Sequence, residues 1–296
     1  MSTRRIGWSG AAYLLLLLVA LGVMVIWWPE LTRVWRDHFL TFLVATLLMA
    51  FALLVQAKNF ISFSDGASAI NHWQFWRVWA LSALANYAGP LQPGIALRVI
   101  YLQRHGVPVT GSLLAMWRQL SVSVWLSIAG LALGLLLTDA DDADWAAGLL
   151  FLGFVSLYAS RPALVRRLNQ MRRPHWLAEK RPMLVKALSG TSPRGVAGVA
   201  LQYVLGTLLL YWSYSRFGTD VSLGKALLLA CAVYVSNLVA ILPGNFGITE
   251  GIYLLGGHDM GLPIQEAAAL ALLLRGSHVA ACLIVSAAGP IPLRRP

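Results

Sequence analysis

Apolar residues occur along this chain in blocks of about 20, the length a helix needs to cross roughly 30 Å of hydrocarbon. The blocks fall at about 11–28, 38–56, 111–138, 145–160, 195–216 and 264–288. Each predicts a full transmembrane helix by length and hydropathy. Two further apolar stretches, 73–103 and 223–257, are interrupted. In both, a proline is followed four residues later by a glycine: Pro90-Leu91-Gln92-Pro93-Gly94 and Pro243-Gly244-Asn245-Phe246-Gly247. Proline lacks a backbone donor and glycine has little helical preference, so neither stretch is expected to cross a bilayer as one unbroken helix. Broken backbone at membrane depth persists only where it is buried in protein or lines a watery cavity. Two such interruptions, one in each half, point to a binding site of the transporter kind.

Composition narrows the class. The 296 residues are 58% hydrophobic and only 12% charged, too apolar for a soluble domain. The expected fold is therefore an all-α polytopic membrane protein. Arg4 and Arg5 precede the first apolar block, as in a signal peptide, but the block ends in Trp27-Trp28-Pro29 rather than in a small-residue cleavage motif. It reads as a retained helix with an interfacial aromatic belt. The cluster Trp73, Phe75, Trp76 and Trp79 reads as a second such belt.

The net charge is +11, and its distribution sets the orientation. Segment 161–194 holds nine Lys and Arg residues against the single acid Glu179, and Arg294 and Arg295 lie near the C-terminus. The run Asp139-Ala140-Asp141-Asp142-Ala143-Asp144 has no base. Basic loops face the cytoplasm, so both termini and 161–194 are expected inside and the acidic run outside. This bias accounts for the basic surplus, and no nucleic-acid partner is expected. Segment 73–103 must then enter and leave on the cytoplasmic side, and 223–257 on the outer side. The chain divides into two membrane units, 1–140 and 141–296, each with three spans and one re-entrant hairpin. An odd number of spans makes the second unit an inverted copy of the first. The alternative is eight complete spans.

The motifs carry a resemblance. Pro90-x3-Gly94-x3-Arg98 with Leu102-x-Arg104-His105-Gly106-Val107, and Leu242-Pro243-Gly244-Asn245-Phe246-Gly247-Ile248-Thr249-Glu250, resemble the two signatures of the lysylphosphatidylglycerol synthase transmembrane-region family. Its members are flippase-like integral membrane proteins. Arg118 and Arg275, each in the span after its signature, fit the same pattern. Three positions depart from it: Ile95, Trp117 and Ser121 stand where the family commonly has acids. In the bifunctional members this region moves an aminoacylated phospholipid between leaflets, and a separate soluble domain makes that lipid. The resemblance implies that this chain holds only the translocating part and is not an enzyme.

The candidate path residues are Arg98, Arg118, Glu250, Arg275, Asn237 and Asn245. A guanidinium suits phosphate because it stays charged and offers forked donors. Arg118, about two turns into its span, has the alternative of snorkelling to the surface. Arg275, near mid-span, has the alternative of a structural pair with Glu250 or Glu266. Glu250 is expected to bind a cationic headgroup or carry a coupling proton, or else to cap the helix that follows Gly247. Asn86 and Asn237 precede the two breaks and can satisfy backbone groups released there. The re-entrant turns are assigned to Pro90, Gly94, Pro243, Gly244 and Gly247, where helix N-termini would offer N–H groups to phosphate.

Cys231 and Cys282 read as buried small hydrophobes rather than a disulfide. The histidines have no metal spacing, and neither metal nor cofactor is expected. The expected function is a flippase-like transporter of a phospholipid, aminoacylated or not, in a bacterial cytoplasmic membrane. Two alternatives stand: a flippase for a polyprenyl phosphate or polyprenyl-linked sugar in envelope glycan synthesis, and a non-transporting partner of a lipid-modifying or glycan-synthesis enzyme. Membrane lipids are the expected partners, and an oligomer is compatible with every feature above.

Overall fold

A computed structural model describes residues 28–64, 70–87, 93–138, 192–239 and 247–288, together with Asn245 and the isolated positions 148, 150 and 153. The described residues form helices and turns, with no strand among them. The expected spans 11–28 (save Trp28) and 145–160 (save those isolated positions) lie outside them. So do the acidic run, most of the basic segment, Pro90, Pro243, Gly244, Arg294 and Arg295.

In chain order the helices are α1 (Trp28–Asp37), α2 (Phe39–Phe63), α3 (His72–Ala85), α4 (Pro93–Arg104), α5 (Val109–Leu136), α6 (Pro193–Arg216), α7 (Leu223–Val239), α8 (Ile248–Asp259) and α9 (Ile264–Ala287). Four are long and apolar enough to cross a membrane: α2, α5, α6 and α9. Their bounds agree with the apolar blocks at 38–56, 111–138, 195–216 and 264–288 to within a few residues, except at the C-terminal end of α2. That helix continues through Gln56, Lys58 and Asn59 to Phe63, because its last turns are buried by protein rather than lipid.

Local sequence sets the helix starts. Pro108 and Pro263 precede α5 and α9 in extended conformation. Pro193 opens α6 with Ser192 as its cap. The side chain of Asn71 caps α3, accepting from Trp73 N at 2.9 Å and Gln74 N at 3.3 Å. These are the residues that supply acceptors for unpaired N–H groups or have none to lose.

The interrupted stretches each fold as two short helices. In the first, α3 has 14 residues and α4 has 12; in the second, α7 has 17 and α8 has 12. At 1.5 Å per residue even α7 rises only about 26 Å, less than the hydrocarbon thickness. Each pair packs against itself and against α9 or α5 of the other half.

At the centre lies α9, with 56% of its most apolar window buried against 22% for α5. Its alanines, Ala267 to Ala269 and Ala271, let neighbours approach closely. Gly134 and Gly224 serve the same purpose between α5 and α7, where an added Cβ would meet Leu228 or the backbone at Leu137. Leu43, Leu47, Leu133, Leu208, Leu283 and Ile284 remain exposed, as lipid-facing side chains do.

One expectation is corrected and one helix is new. The aromatic cluster of α3 is not an interfacial belt. Only Trp73 is exposed; Phe75 and Trp79 are buried and pack with Phe60 and Tyr101. Phe75 and Trp79 are four residues apart on α3, so helical periodicity turns them inward together, on a different face from Trp73. Helix α1 was not anticipated, because only ten residues separate Trp27 from His38 and half of them are polar or charged. It is tied down by Val34 and by Trp35, which stacks on Phe42 and covers Gly276.

Candidate functional site

The two short-helix pairs and the long helices between them line a half-open cavity of about 410 Å³, within the range of about 300–1,000 Å³ common for ligand pockets. Its wall includes Gln56 of α2, Trp79 of α3, Arg98 of α4, Gln119 of α5, Gln202 of α6, Asn237 of α7, Tyr253 of α8, and Arg275 and His278 of α9. Four of the six candidate path residues line it: Arg98, Asn237, Asn245 and Arg275. Glu250 reaches it through Arg275.

Arg98 and Arg275 sit in different electrostatic settings. Among the described residues Arg98 has no carboxylate partner. Its Nε donates to Ser82 Oγ, and its guanidinium carbon stands 3.7 Å from the centre of the Trp79 ring. Trp79 is itself oriented by donating Nε1–H to Gln56 Oε1 at 3.0 Å. A cation over an indole face is attracted by the ring quadrupole, but its charge is not cancelled. Arg275 is paired with Glu250 in an ion pair of partly buried side chains. It also donates Nη1–H to Tyr87 Oη at 3.0 Å.

Both oxygens of Glu250 are engaged within the protein: Oε1 with Arg275, and Oε2 with the backbone N–H of Gly247 at 2.7 Å. The capping alternative and the Arg275-pairing alternative thus describe one arrangement. Gly247 has φ +88°, a conformation that favours glycine, and it ends the break by turning the chain into α8.

The first break is closed in the same way. Asn86 Oδ1 accepts from Gly94 N at 2.9 Å, as expected of an amide beside opened backbone. The N–H groups of Gly94 and Gly247 therefore have intraprotein acceptors. At the second break, Asn245 takes the left-handed conformation, φ 58°. Its Nδ2 donates to Ser236 Oγ at 3.0 Å and Asn237 Oδ1 at 3.3 Å. Ser236 gives its own hydrogen to Val233 O, so its oxygen is free to accept, which fixes the orientation of the Asn245 amide.

Arg118 does not line the cavity, and it does not snorkel. It is 4% exposed and donates Nη1–H to Phe63 O at 2.9 Å, holding the carbonyl end of α2. A cation suits the unpaired carbonyls of a helix C-terminus. None of Ile95, Trp117 and Ser121, where the family pattern has acids, lines the cavity either. Trp117 is 51% exposed on the outer surface, and Ser121 bonds back to Trp117 O.

Sequence reasoning missed Trp79, Tyr87, His278 and the glutamines as cavity residues. Gln56, Gln119 and Gln202 are isolated carboxamides within apolar blocks, a signal that was there to use. His278 lies three residues after Arg275 and shares its helix face. Tyr87 accepts from Arg275 and also hydrogen-bonds His278 Nδ1 at 2.9 Å, the direction of that second bond following the imidazole tautomer. His278 Nε2 stands 3.8 Å from Cys282 Sγ, a thiol with no exposure. Cys231 is likewise a buried free thiol. Among the described residues no cluster of His, Cys, Asp and Glu could hold a metal.

An apolar helical bundle with four helices long enough to cross a membrane among its described residues is a multi-pass membrane protein, and Arg98 and Arg275 line its cavity. The family model for the lysylphosphatidylglycerol synthase TM region matches residues 12–286, and the chain belongs to that family. No curated protein and no solved structure matches it.

Proposed function

We propose that this protein is a carrier that moves a phospholipid between leaflets, with the lipid phosphate docking at Arg98. The observation that supports this most directly is a cavity-lining guanidinium without a carboxylate partner. A charge at membrane depth is costly, about 2.5–3.5 kcal/mol even on permissive scales. The protein leaves this one available to a ligand, whereas it neutralises Arg275 with Glu250. Family membership adds weight to lipid translocation.

The packing supports an inverted repeat with two re-entrant pairs. Matching α2 with α6, α3/α4 with α7/α8, and α5 with α9 sends the α5–α7 contact onto α9–α3, and the α2–α3 contact onto α6–α7. Under that exchange the units 1–140 and 141–296 meet across a pseudo-twofold axis through the cavity. On this reading the chain is a carrier rather than an enzyme, sits in a bacterial cytoplasmic membrane, and has both termini in the cytoplasm.

The test is mass spectrometry of the lipids that co-purify with the full chain, wild type beside Arg98→Ala and Arg98→Lys. The wild type is expected to enrich one class of anionic phospholipid, Arg98→Ala to lose the enrichment, and Arg98→Lys to keep part of it. Lysine restores the charge without the planar fork that spans Ser82 and Trp79. Bulk membrane lipid in all three samples would sink the reading.

A further inference from the structure

From the uncharged part of the cavity wall we infer the headgroup class: a phosphate carrying a neutral, hydroxyl-rich group such as glycerol or a sugar, and not an aminoacyl cation. This rests on the carrier reading above and specifies its cargo.

Beyond the two arginines, the polar wall includes carboxamides and hydroxyls. Gln119 and Gln202 line it from α5 and α6, and Asn237 and Asn245 from the second break. A carboxamide both donates and accepts, as does a hydroxyl, so a wall of amides matches a polyol in either sense of each hydrogen bond. Gln202 and Asn245 are largely buried members of this wall, 4% and 3% exposed.

The charges disfavour a cationic headgroup. Among the described residues no aspartate or glutamate lines the cavity. Glu250, which reaches it through Arg275, has both oxygens engaged with Arg275 and Gly247. An ammonium group entering the site would lack a counter-ion and face the Arg98 charge in a low-dielectric interior.

The experiment uses the full chain reconstituted into vesicles carrying trace amounts of four lipids: phosphatidylglycerol, a polyprenyl-phosphate hexose, phosphatidylethanolamine and lysylphosphatidylglycerol. Externally added periodate oxidises vicinal diols and trinitrobenzenesulfonate labels amines, and neither reagent crosses the bilayer. The extent of each reaction therefore counts the lipid that has reached the outer leaflet. We expect one or both diol lipids to become fully accessible with wild-type protein, while the two aminolipids stay near the level of protein-free vesicles. Which diol lipid moves separates a glycerophospholipid source from a polyprenyl source. Gln119→Leu, which removes a carboxamide lining the cavity, should slow the diol lipid about tenfold, the equivalent of one lost hydrogen bond of about 1.4 kcal/mol. Aminolipids moving as fast as diol lipids would overturn the headgroup inference and leave the carrier reading intact. No movement of any lipid would overturn both.

Discussion

Arg275 on α9 and Glu250 in the first turn of α8 form an ion pair that fastens the second helix break to the central helix of the bundle. Glu250 also closes that break by accepting from Gly247 N, so one carboxylate links a backbone turn to a buried cation. Removing the cation alone strands the acid. Arg275→Met should therefore destabilise the protein by about 3–5 kcal/mol, the usual penalty for breaking a buried pair from one side. The double variant Arg275→Met/Glu250→Gln should recover much of that, because glutamine still offers an oxygen to Gly247. Thermal unfolding in detergent measures both, and a double variant no more stable than the single one would contradict the pairing.

At the first break, Gly94 of α4 lies against the backbone of α3. A Cβ built there would collide with Ser82 O and with Asn86 Oδ1. Backbone cannot step aside as a flexible side chain can, so Gly94→Ala should push the two helices apart and cost upward of about 1–3 kcal/mol. The expected readout is reduced yield of folded protein and a lower melting temperature, with Asn86→Ala milder because it removes only the acceptor of one hydrogen bond.

Tyr87 joins two cavity residues of α9, accepting from Arg275 and hydrogen-bonding His278 Nδ1. Tyr87→Phe keeps the ring beside Arg275 and removes both hydrogen bonds. A loss of about 1–2 kcal/mol is expected, together with loss of the tautomer preference at His278, which ¹⁵N chemical shifts of the imidazole report directly. An unchanged His278 spectrum would show that the bond is not made in solution.

His38, just before α2, stacks on Phe217 with ring centres 3.9 Å apart. Burial lowers its pKa below the ordinary histidine value, against an opposing pull from Asp37. The folded state therefore favours the neutral ring. Its contribution to stability is complete above the unfolded histidine pKa of about 6.5 and is lost as pH falls through it, since the unfolded chain protonates first. His38→Phe should flatten the melting temperature between pH 7 and pH 5; an equally steep profile in that variant would assign the dependence elsewhere.

What was legible in the sequence was whatever depends on hydropathy and on single-residue backbone chemistry. Apolar block length alone located α2, α5, α6 and α9, because about 20 apolar residues suffice to specify a span whatever their neighbours. Pro93, Gly94 and Gly247 marked the breaks, because loss of a donor or a positive φ is a local property. Only the tertiary structure decided how the charges are used. Arg98, Arg118 and Arg275 look alike in sequence, each a lone cation in apolar surroundings, yet one holds a helix end, one is neutralised by Glu250 and one faces the cavity uncompensated. That difference depends on partners 55 residues away for Arg118 and 25 away for Arg275. The same is true of Trp79 and the cavity glutamines. A helix face has no meaning as wall or surface until another helix packs beside it, and the energetics of a buried polar group are set by distance and dielectric rather than by residue type.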